Sequence, residues 1–101
     1  MAQFDVYKNE NELTNQKVPY LLDVQNDILD SINTRVVIPL VKDKNDFKGL
    51  TKEFVIKNQK VYLTTSQMGA VHKNELKTKI TTLINQKEYI KNSIDFLIYG
   101  F

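Results

Sequence analysis

The 101-residue sequence predicts a mainly β domain that ends in a C-terminal α-helix. Short runs rich in β-branched and aromatic residues recur along most of the chain, which is typical of strands. Two such runs flank a polar turn at Asn58, as in a hairpin, and the last part of the chain changes to helical spacing. About five short strands and one terminal helix pack most economically as a small barrel or a strongly bent sheet.

Three strands are predicted in the first half of the chain. Residues 3–7 alternate between apolar and polar side chains, and residues 20–24 form a compact apolar run. Residues 35–41 give the strongest strand pattern, because three β-branched residues follow one another there. Proline lacks a backbone N–H, so Pro39 is expected at a sheet edge, a bulge or a strand end.

The segments between and after these strands are predicted as follows. Residues 25–34 form a polar loop that carries an adjacent Ile and Leu. Residues 42–52 form a connection of mixed charge that could hold one helical turn. Residues 54–65 form the hairpin, and residues 69–76 are a further candidate strand.

The C-terminal segment is predicted to be a helix. Asn85 followed by Glu88 fits a capping box, although a start near Thr81 is also compatible with the pattern. Apolar residues recur on one helical face: Ile90, Ile94, Leu97, Ile98 and Phe101. Phe96 and Tyr99 lie off that face, so the last turn is apolar on more than one side. A second chain is expected to cover the other side, most simply in a symmetric homodimer.

Composition excludes several classes of protein. With no Cys, the chain has no disulfide framework, no thiolate metal site and no thiol nucleophile. Lys and Arg number 14 against 12 Asp and Glu, which is too small an excess to predict nucleic-acid binding. The first residues lack a signal-peptide pattern, and no apolar stretch approaches the ~20 residues of a membrane span. We therefore expect one cytoplasmic domain over residues 1–101 with no membrane partner.

Side chains that could support catalysis are scarce. His72 is the only His and Arg35 the only Arg, and we expect an exposed or partly buried His72 rather than a catalytic one. Arg35 is expected to pair with Asp27 or Asp30. Those two residues and Asp23 are unevenly spaced, which gives no common face for a metal ion. The sequence thus predicts no enzyme, no cofactor and no metal site.

Two longer motifs are more specific than composition. DVQNDILD at residues 23–30 precedes RVVIPL at residues 35–40, and IKNSIDFLIYGF at residues 90–101 ends the sequence. Together with residues 3–7 and 63–65, these motifs resemble the CcdB family of bacterial toxins, the poison half of a toxin–antitoxin pair. The resemblance implies a five-stranded SH3-like barrel with a small accessory sheet and a long C-terminal helix, paired as a homodimer.

The same resemblance implies a function. CcdB-like toxins bind the A subunit of DNA gyrase and trap the gyrase–cleaved DNA complex, without making or breaking a bond themselves. They bind no specific nucleic-acid sequence alone, and a CcdA-like antitoxin silences them. The gyrase-binding residues that the resemblance implies are Ile28, Leu29, Asp95, Ile98, Tyr99, Gly100 and Phe101.

Three of these positions depart from the best-known members, which have Trp in place of Tyr99, Ile in place of Phe101 and an amide in place of Asp95. A desolvated, unpaired charge at an interface costs several kcal/mol, so weaker poisoning or a different target gyrase is expected. Two alternatives stay open. One is a MazF-like mRNA endonuclease that would draw on Arg35 and His72, and the other is a non-poisoning chromosomal homologue that binds gyrase or antitoxin.

Overall fold

The computed structural model describes residues 1–43 and 52–100, which form seven strands and a C-terminal helix. The strands are β1 (Asp5–Lys8), β2 (Tyr20–Asp23), β3 (Thr34–Val41), β4 (Glu53–Ile56), β5 (Gln59–Leu63), β6 (Gly69–His72) and β7 (Lys79–Thr82), and the helix is α1 (Lys87–Tyr99). The mainly β class with a terminal helix is therefore confirmed. Most of the predicted 42–52 connection, with its helical turn, lies outside the described residues.

All seven strands belong to one curled antiparallel sheet. Its order is β4-β5-β3-β2-β1-β7, and β6 pairs with β3 as well. The central strand β3 changes partner along its length, because its first half pairs with β6 and its last two residues pair with β5. Among the described residues, the seven strands of one sheet correct the predicted five strands with a separate accessory sheet. The SH3-like closure and the homodimer stay predictions.

Pro39 lies where β3 changes partner. Its carbonyl accepts hydrogen bonds from the backbone N–H and the hydroxyl of Thr64, at 3.1 and 2.6 Å. The nitrogen of an extended residue faces the same side as its carbonyl, so the missing N–H falls in the gap between β6 and β5. The β2–β3 ladder, in which Leu21 faces Pro39, loses no donor.

The short strand β7 corrects the sequence prediction. Thr81 was a possible start of the helix, but it pairs with Val6 of β1, and Thr82 pairs with Asp5. A four-residue segment with three β-branched side chains is too short to show a period, so only the presence of β1 beside it makes it a strand.

The start of α1 also differs from the prediction. A 3-10 turn over Ile84–Gln86 precedes the helix, and the N-cap residue Gln86 makes no side-chain capping bond. The capping box predicted at Asn85 is therefore wrong. Within residues 1–43 and 52–100, no helix has the length and apolar character needed to cross a membrane.

The core is built from the strands and one face of α1. Its buried residues are Phe4, Val6, Tyr20, Leu22, Val24, Ile38, Leu40, Phe54, Ile56, Val61, Leu63 and Ile90. Side chains alternate across the sheet, so Tyr7 joins Val37 and Leu76 in a separate small cluster. Ile90 is the completely buried residue that α1 contributes to the core.

The β4–β5 hairpin confirms the turn predicted at Asn58. Ile56 faces Gln59, so a two-residue loop joins the strands. Both loop residues have positive φ, 51° at Lys57 and 64° at Asn58. This is the geometry of a type I′ turn, whose twist matches that of the flanking strands.

Candidate functional site

The exposed end of α1 forms the first part of the candidate site, which we call the helix tip (Asp95, Phe96, Ile98, Tyr99 and Gly100). Ile98 is 57% exposed and Tyr99 is 67% exposed. The helical pattern of the sequence predicts Ile98 on the buried face. That prediction is wrong, because the side chain is exposed to solvent. Phe96 and Tyr99 lie off the buried face, as predicted, and are exposed.

Gly100 turns the chain away from α1. Its φ of 81° is left-handed, and its N–H donates to the carbonyl of Phe96 at 2.9 Å. An added Cβ would meet no atom within 4 Å, so the backbone conformation and not a lack of space favours glycine here. The helix therefore ends as predicted. Phe101, the last predicted contact residue, lies outside the described residues.

Three interactions hold α1 against the sheet. Ile90 is buried in the core, and the Ser93 hydroxyl lies 2.7 Å from the Thr65 hydroxyl, with both residues buried. Lys52 places its Nζ 4.3 Å from the centre of the Tyr89 ring, a cation–π contact. The inner side of α1 is therefore fixed against the rest of the fold, and the helix tip extends from it. The sequence did not predict that Ser93 is buried, because serine is polar.

Ile28 and Leu29 form the second part of the candidate site. They lie in a 3-10 turn over Asp27–Leu29, in the loop between β2 and β3. Ile28 is 85% exposed, and its N–H donates to the Asn26 side chain at 2.9 Å, which caps the turn. Both apolar side chains are therefore exposed to solvent, and neither belongs to a core cluster.

Arg35 lies beneath this loop and is completely buried. Its Nε donates to Asp23 at 2.9 Å, and Nη2 lies 2.8 Å from the same carboxylate oxygen as an ion pair. Nη2 donates to Asp27 at 3.3 Å, and Nη1 donates to Asp30 at 3.2 Å. The predicted ion pairs with Asp27 and Asp30 are confirmed, and the pair with Asp23 was missed.

The prediction that Asp23, Asp27 and Asp30 share no common face is wrong, because the three carboxylates converge on one guanidinium. Asp23 ends β2 and pairs across the ladder with Val37, which brings it beside Arg35 on the neighbouring strand. The loop then returns Asp27 and Asp30 to the same guanidinium. Where the chain reverses direction, the spacing of residues in the sequence does not predict which side chains come into contact. Among the described residues, no group of His, Asp or Glu is arranged to hold a metal ion.

Burial and mutual hydrogen bonding shift the pKa values of both Asp23 and Arg35. Burial raises the pKa of the Asp23 carboxyl, and the Arg35 hydrogen bond opposes that shift. For Arg35, burial acts to lower the pKa, but the bonds with Asp23 and Asp27 outweigh it and raise the pKa above its usual value. The guanidinium therefore stays charged at every pH at which the protein would work.

His72, the other residue considered for catalysis, is exposed at the end of β6, as predicted. Its Nδ1 accepts the backbone N–H of Asn74 at 3.2 Å, and the backbone N–H of His72 donates to the Glu75 carboxylate at 3.1 Å. These two bonds form a capping box around the following 3-10 turn. The imidazole therefore has one nitrogen engaged in local structure.

Comparison with known proteins gives two findings. The model of a protein family described as "CcdB protein" matches residues 3–100. Among solved structures, "Endoribonuclease from Mycobacterial species" is similar, with a TM-score of 0.69 and 13% sequence identity over 94% of this chain and 88% of that chain. At this identity the likeness concerns the fold.

The similar structure corrects the prediction that the chain is not an enzyme. That prediction rested on the scarcity of His, Arg and Gly-rich motifs. A protein that shares the fold is an endoribonuclease, so this fold is compatible with catalysis and the scarcity of those groups does not exclude it.

Proposed function

The chain belongs to the CcdB family, and from this membership we propose that it acts as a toxin on the A subunit of DNA gyrase. The family supports the toxin role, and gyrase is the target that we propose for it. The bound toxin traps gyrase on cleaved DNA in the cytoplasm, which blocks replication and transcription. A CcdA-like antitoxin of the same type II module neutralises it.

The observation that carries the proposal is the helix tip. Ile98 and Tyr99 are largely exposed although α1 has a buried face available. Aromatic side chains such as tyrosine are among the residues that contribute most to the free energy of binding at protein interfaces, and apolar neighbours exclude water around them. Side chains left largely in solvent gain little from apolar burial on folding, so a partner that buries them accounts for their position.

The Ile28–Leu29 pair is the second contact that we propose. Ile28 is the most exposed apolar side chain of its loop, and the loop is tied to the sheet through Arg35. A rigid loop with an exposed apolar pair loses little conformational entropy when it binds. Both parts of the site therefore offer apolar surface on fixed backbone.

The proposed form is a homodimer. Phe96 makes a further side of the last helical turn apolar, more than the sheet of one chain covers, and the second chain would cover this side while Ile98 and Tyr99 stay open to gyrase. Sedimentation equilibrium of the purified protein tests this part separately, and we expect a mass of two chains at micromolar concentration. A single-chain mass at that concentration would contradict the dimer.

The central test is DNA cleavage by gyrase. Purified toxin is incubated with gyrase, supercoiled plasmid and ATP, and linear DNA is measured after the protein is digested. We expect linear DNA to accumulate, and Tyr99→Ala to require about tenfold more toxin for the same amount, as for a central interface residue. Val55→Ala removes an equally exposed apolar group on β4 and is the matched control. No cleavage with the unmodified toxin would refute the proposal.

The second candidate is RNA cleavage, which the endoribonuclease with the same fold favours. Arg35 is buried against carboxylates, so of the two residues considered for this chemistry only the exposed His72 is accessible to RNA. Incubation of the protein with a long RNA distinguishes the candidates. Cleavage that His72→Ala abolishes would establish this function, and RNA that stays intact at high protein ratio would exclude it.

A homologue that binds gyrase or antitoxin without poisoning is the remaining alternative, and the Asp95, Tyr99 and Phe101 departures from the best-known members motivate it. Expression in cells that lack the antitoxin separates it from the main proposal. A poison stops growth within a few generations, whereas sustained growth at the same protein level indicates a non-poisoning homologue.

A further inference from the structure

One side chain ties residues 24–33, which we call the contact loop, to the sheet at three separate points. Arg35 contacts the Gln25 carbonyl at 3.2 Å, Asp27 at 3.3 Å and Asp30 at 3.2 Å, in addition to Asp23 at the end of β2. These acceptors are spread over the first, middle and later parts of the loop. One buried guanidinium therefore restrains the backbone on both sides of Ile28.

The side chain has to be an arginine to do this. A guanidinium offers five N–H donors in a planar fork, and here its three nitrogens contact the Asp23, Asp27 and Asp30 carboxylates and the Gln25 carbonyl. A lysine would place one compact charge at the same site, and it would not reach the ends of the loop together. The loop geometry thus depends on donor directions and not on charge alone.

Further bonds restrain the loop from its edges. The Gln25 side chain accepts the N–H of Val36 at 3.1 Å and donates to the Leu29 carbonyl at 3.3 Å. Lys73 lies 3.6 Å from the Asp30 carboxylate and also donates to the Asp30 carbonyl. The backbone N–H of Gln3 adds a further restraint, because it donates to the Asp27 carboxylate at 2.9 Å.

The network has a high free-energy cost for a loop that adds no residue beyond Val24 to the core. Removing an arginine and a carboxylate from water is strongly unfavourable, and well-packed apolar residues often replace such pairs without loss of stability. Ile28 is 85% exposed and Leu29 is 44% exposed, so the burial of these side chains does not offset that cost. What the network provides is a fixed orientation of two exposed apolar groups.

We infer that Arg35 is a positioning residue, which fixes the contact loop in the free protein and so holds Ile28 and Leu29 ready for a protein partner that Arg35 itself does not touch. The inference deepens the proposed function, because it takes the gyrase A subunit as the partner. Preorganisation of this kind raises affinity by lowering the ordering cost of binding.

The first test needs no partner. Backbone order parameters from ¹⁵N relaxation of the full chain are expected to be roughly 0.85 at Ile28 and Leu29, and to fall below roughly 0.6 in Arg35→Lys and in Asp30→Ala. Asp30 is 56% exposed, so its truncation leaves the fold intact even if the buried substitution does not. Asp30→Asn keeps an acceptor for Nη1 and is expected to restore most of the order. Unchanged order parameters in Asp30→Ala would overturn the inference.

The second test is a double-mutant cycle on binding to purified gyrase A subunit. We expect Asp30→Ala to weaken binding about fivefold when Ile28 is present and less than twofold in an Ile28→Ala background, because it acts through the loop. Glu53→Ala makes the same change of charge on β4 and is expected to leave affinity within twofold. Equal effects of Asp30→Ala in both backgrounds would mean that Asp30 acts independently of the apolar pair, and would overturn the inference.

The two tests separate the inference from the proposed function. If the unmodified protein does not bind the gyrase subunit at all, the proposed target is wrong, while the order parameters still decide whether Arg35 fixes the loop. If it binds and the order parameters do not change, the positioning role is wrong and the target stands.

Discussion

Arg35 directs two nitrogens at a single carboxylate oxygen of Asp23, at 2.9 and 2.8 Å, in a place where neither side chain reaches solvent. The two residues lie on β3 and at the end of β2, which are neighbouring strands. A second oxygen of Asp23 accepts the N–H of Gln25 at 3.0 Å, so the carboxylate also turns the chain into the contact loop. One buried pair therefore serves both the sheet and the loop.

Truncation of Asp23 is expected to destabilise the protein strongly. Asp23→Ala leaves the Arg35 charge buried with only its half-exposed partners, which typically costs ~3–5 kcal/mol. Urea unfolding measures the loss. Asp27→Ala removes a partner that is 55% exposed and is expected to cost no more than about 1 kcal/mol. Similar losses in the two variants would contradict this account of the pair.

The hydrogen bond between Thr65 and Ser93 is expected to couple α1 to the sheet. Ser93→Ala leaves the Thr65 hydroxyl buried without this partner, which costs ~1–3 kcal/mol, whereas Thr65→Val with Ser93→Ala removes both polar groups. We therefore expect the double variant to be about 1 kcal/mol more stable than the sum of the single changes predicts. Chemical denaturation of all four proteins gives the coupling, and strict additivity would show that the hydroxyl pair contributes nothing.

Alkaline stability is expected to depend on Tyr7. Burial, and then the negative charges of Asp5 and Asp23, raise the pKa of Tyr7 above its usual value. The stability that follows is fully present below the unfolded pKa of about 10, and it is lost as the pH rises through the folded pKa. Tyr7→Phe should therefore reduce the decline of the unfolding free energy above pH 10, by up to ~1.4 kcal/mol per pH unit. Identical slopes for the two proteins in urea titrations would rule out this contribution.

The β4–β5 turn is expected to be improvable. Lys57 has a φ of 51°, which is costly for a lysine and much less so for asparagine. Lys57→Asn should raise the unfolding free energy by about 0.5 kcal/mol, or a few degrees in melting temperature. Lys60→Asn makes the same charge change within β5, where asparagine is disfavoured, and should not stabilise. A lower melting temperature for Lys57→Asn would contradict the type I′ assignment.

Local patterns predicted the parts of the molecule that local interactions determine. The alternation around β1, the β-branched run of β3 and the turn at Asn58 each correspond to structure that was found. Gly100 was predicted at the end of the helix for the same reason, since a left-handed residue there satisfies the last carbonyls within one turn.

Features that depend on distant partners were not predictable in the same way. β7 is a strand because it pairs with β1. The buried Ser93 hydroxyl has its hydrogen-bond partner, Thr65, in a distant part of the sequence. The pairing of Asp23 with Arg35 depends on the β2–β3 register, which composition does not encode. In the candidate site, the exposure of Ile98 departs from the helical pattern because the sheet covers a narrower face of α1 than the apolar residues occupy.

The pairing of β1 with β7 affects when the sheet can form during synthesis of the chain. A ribosome delivers Asp5 early and Thr82 late, so the two residues that face each other in the finished ladder are made far apart. Closing so long a stretch of chain has an entropic cost that slows folding. During synthesis β1 has β2 on one side and an open edge on the other, and a nascent chain cannot complete its sheet until residues 79–82 have emerged.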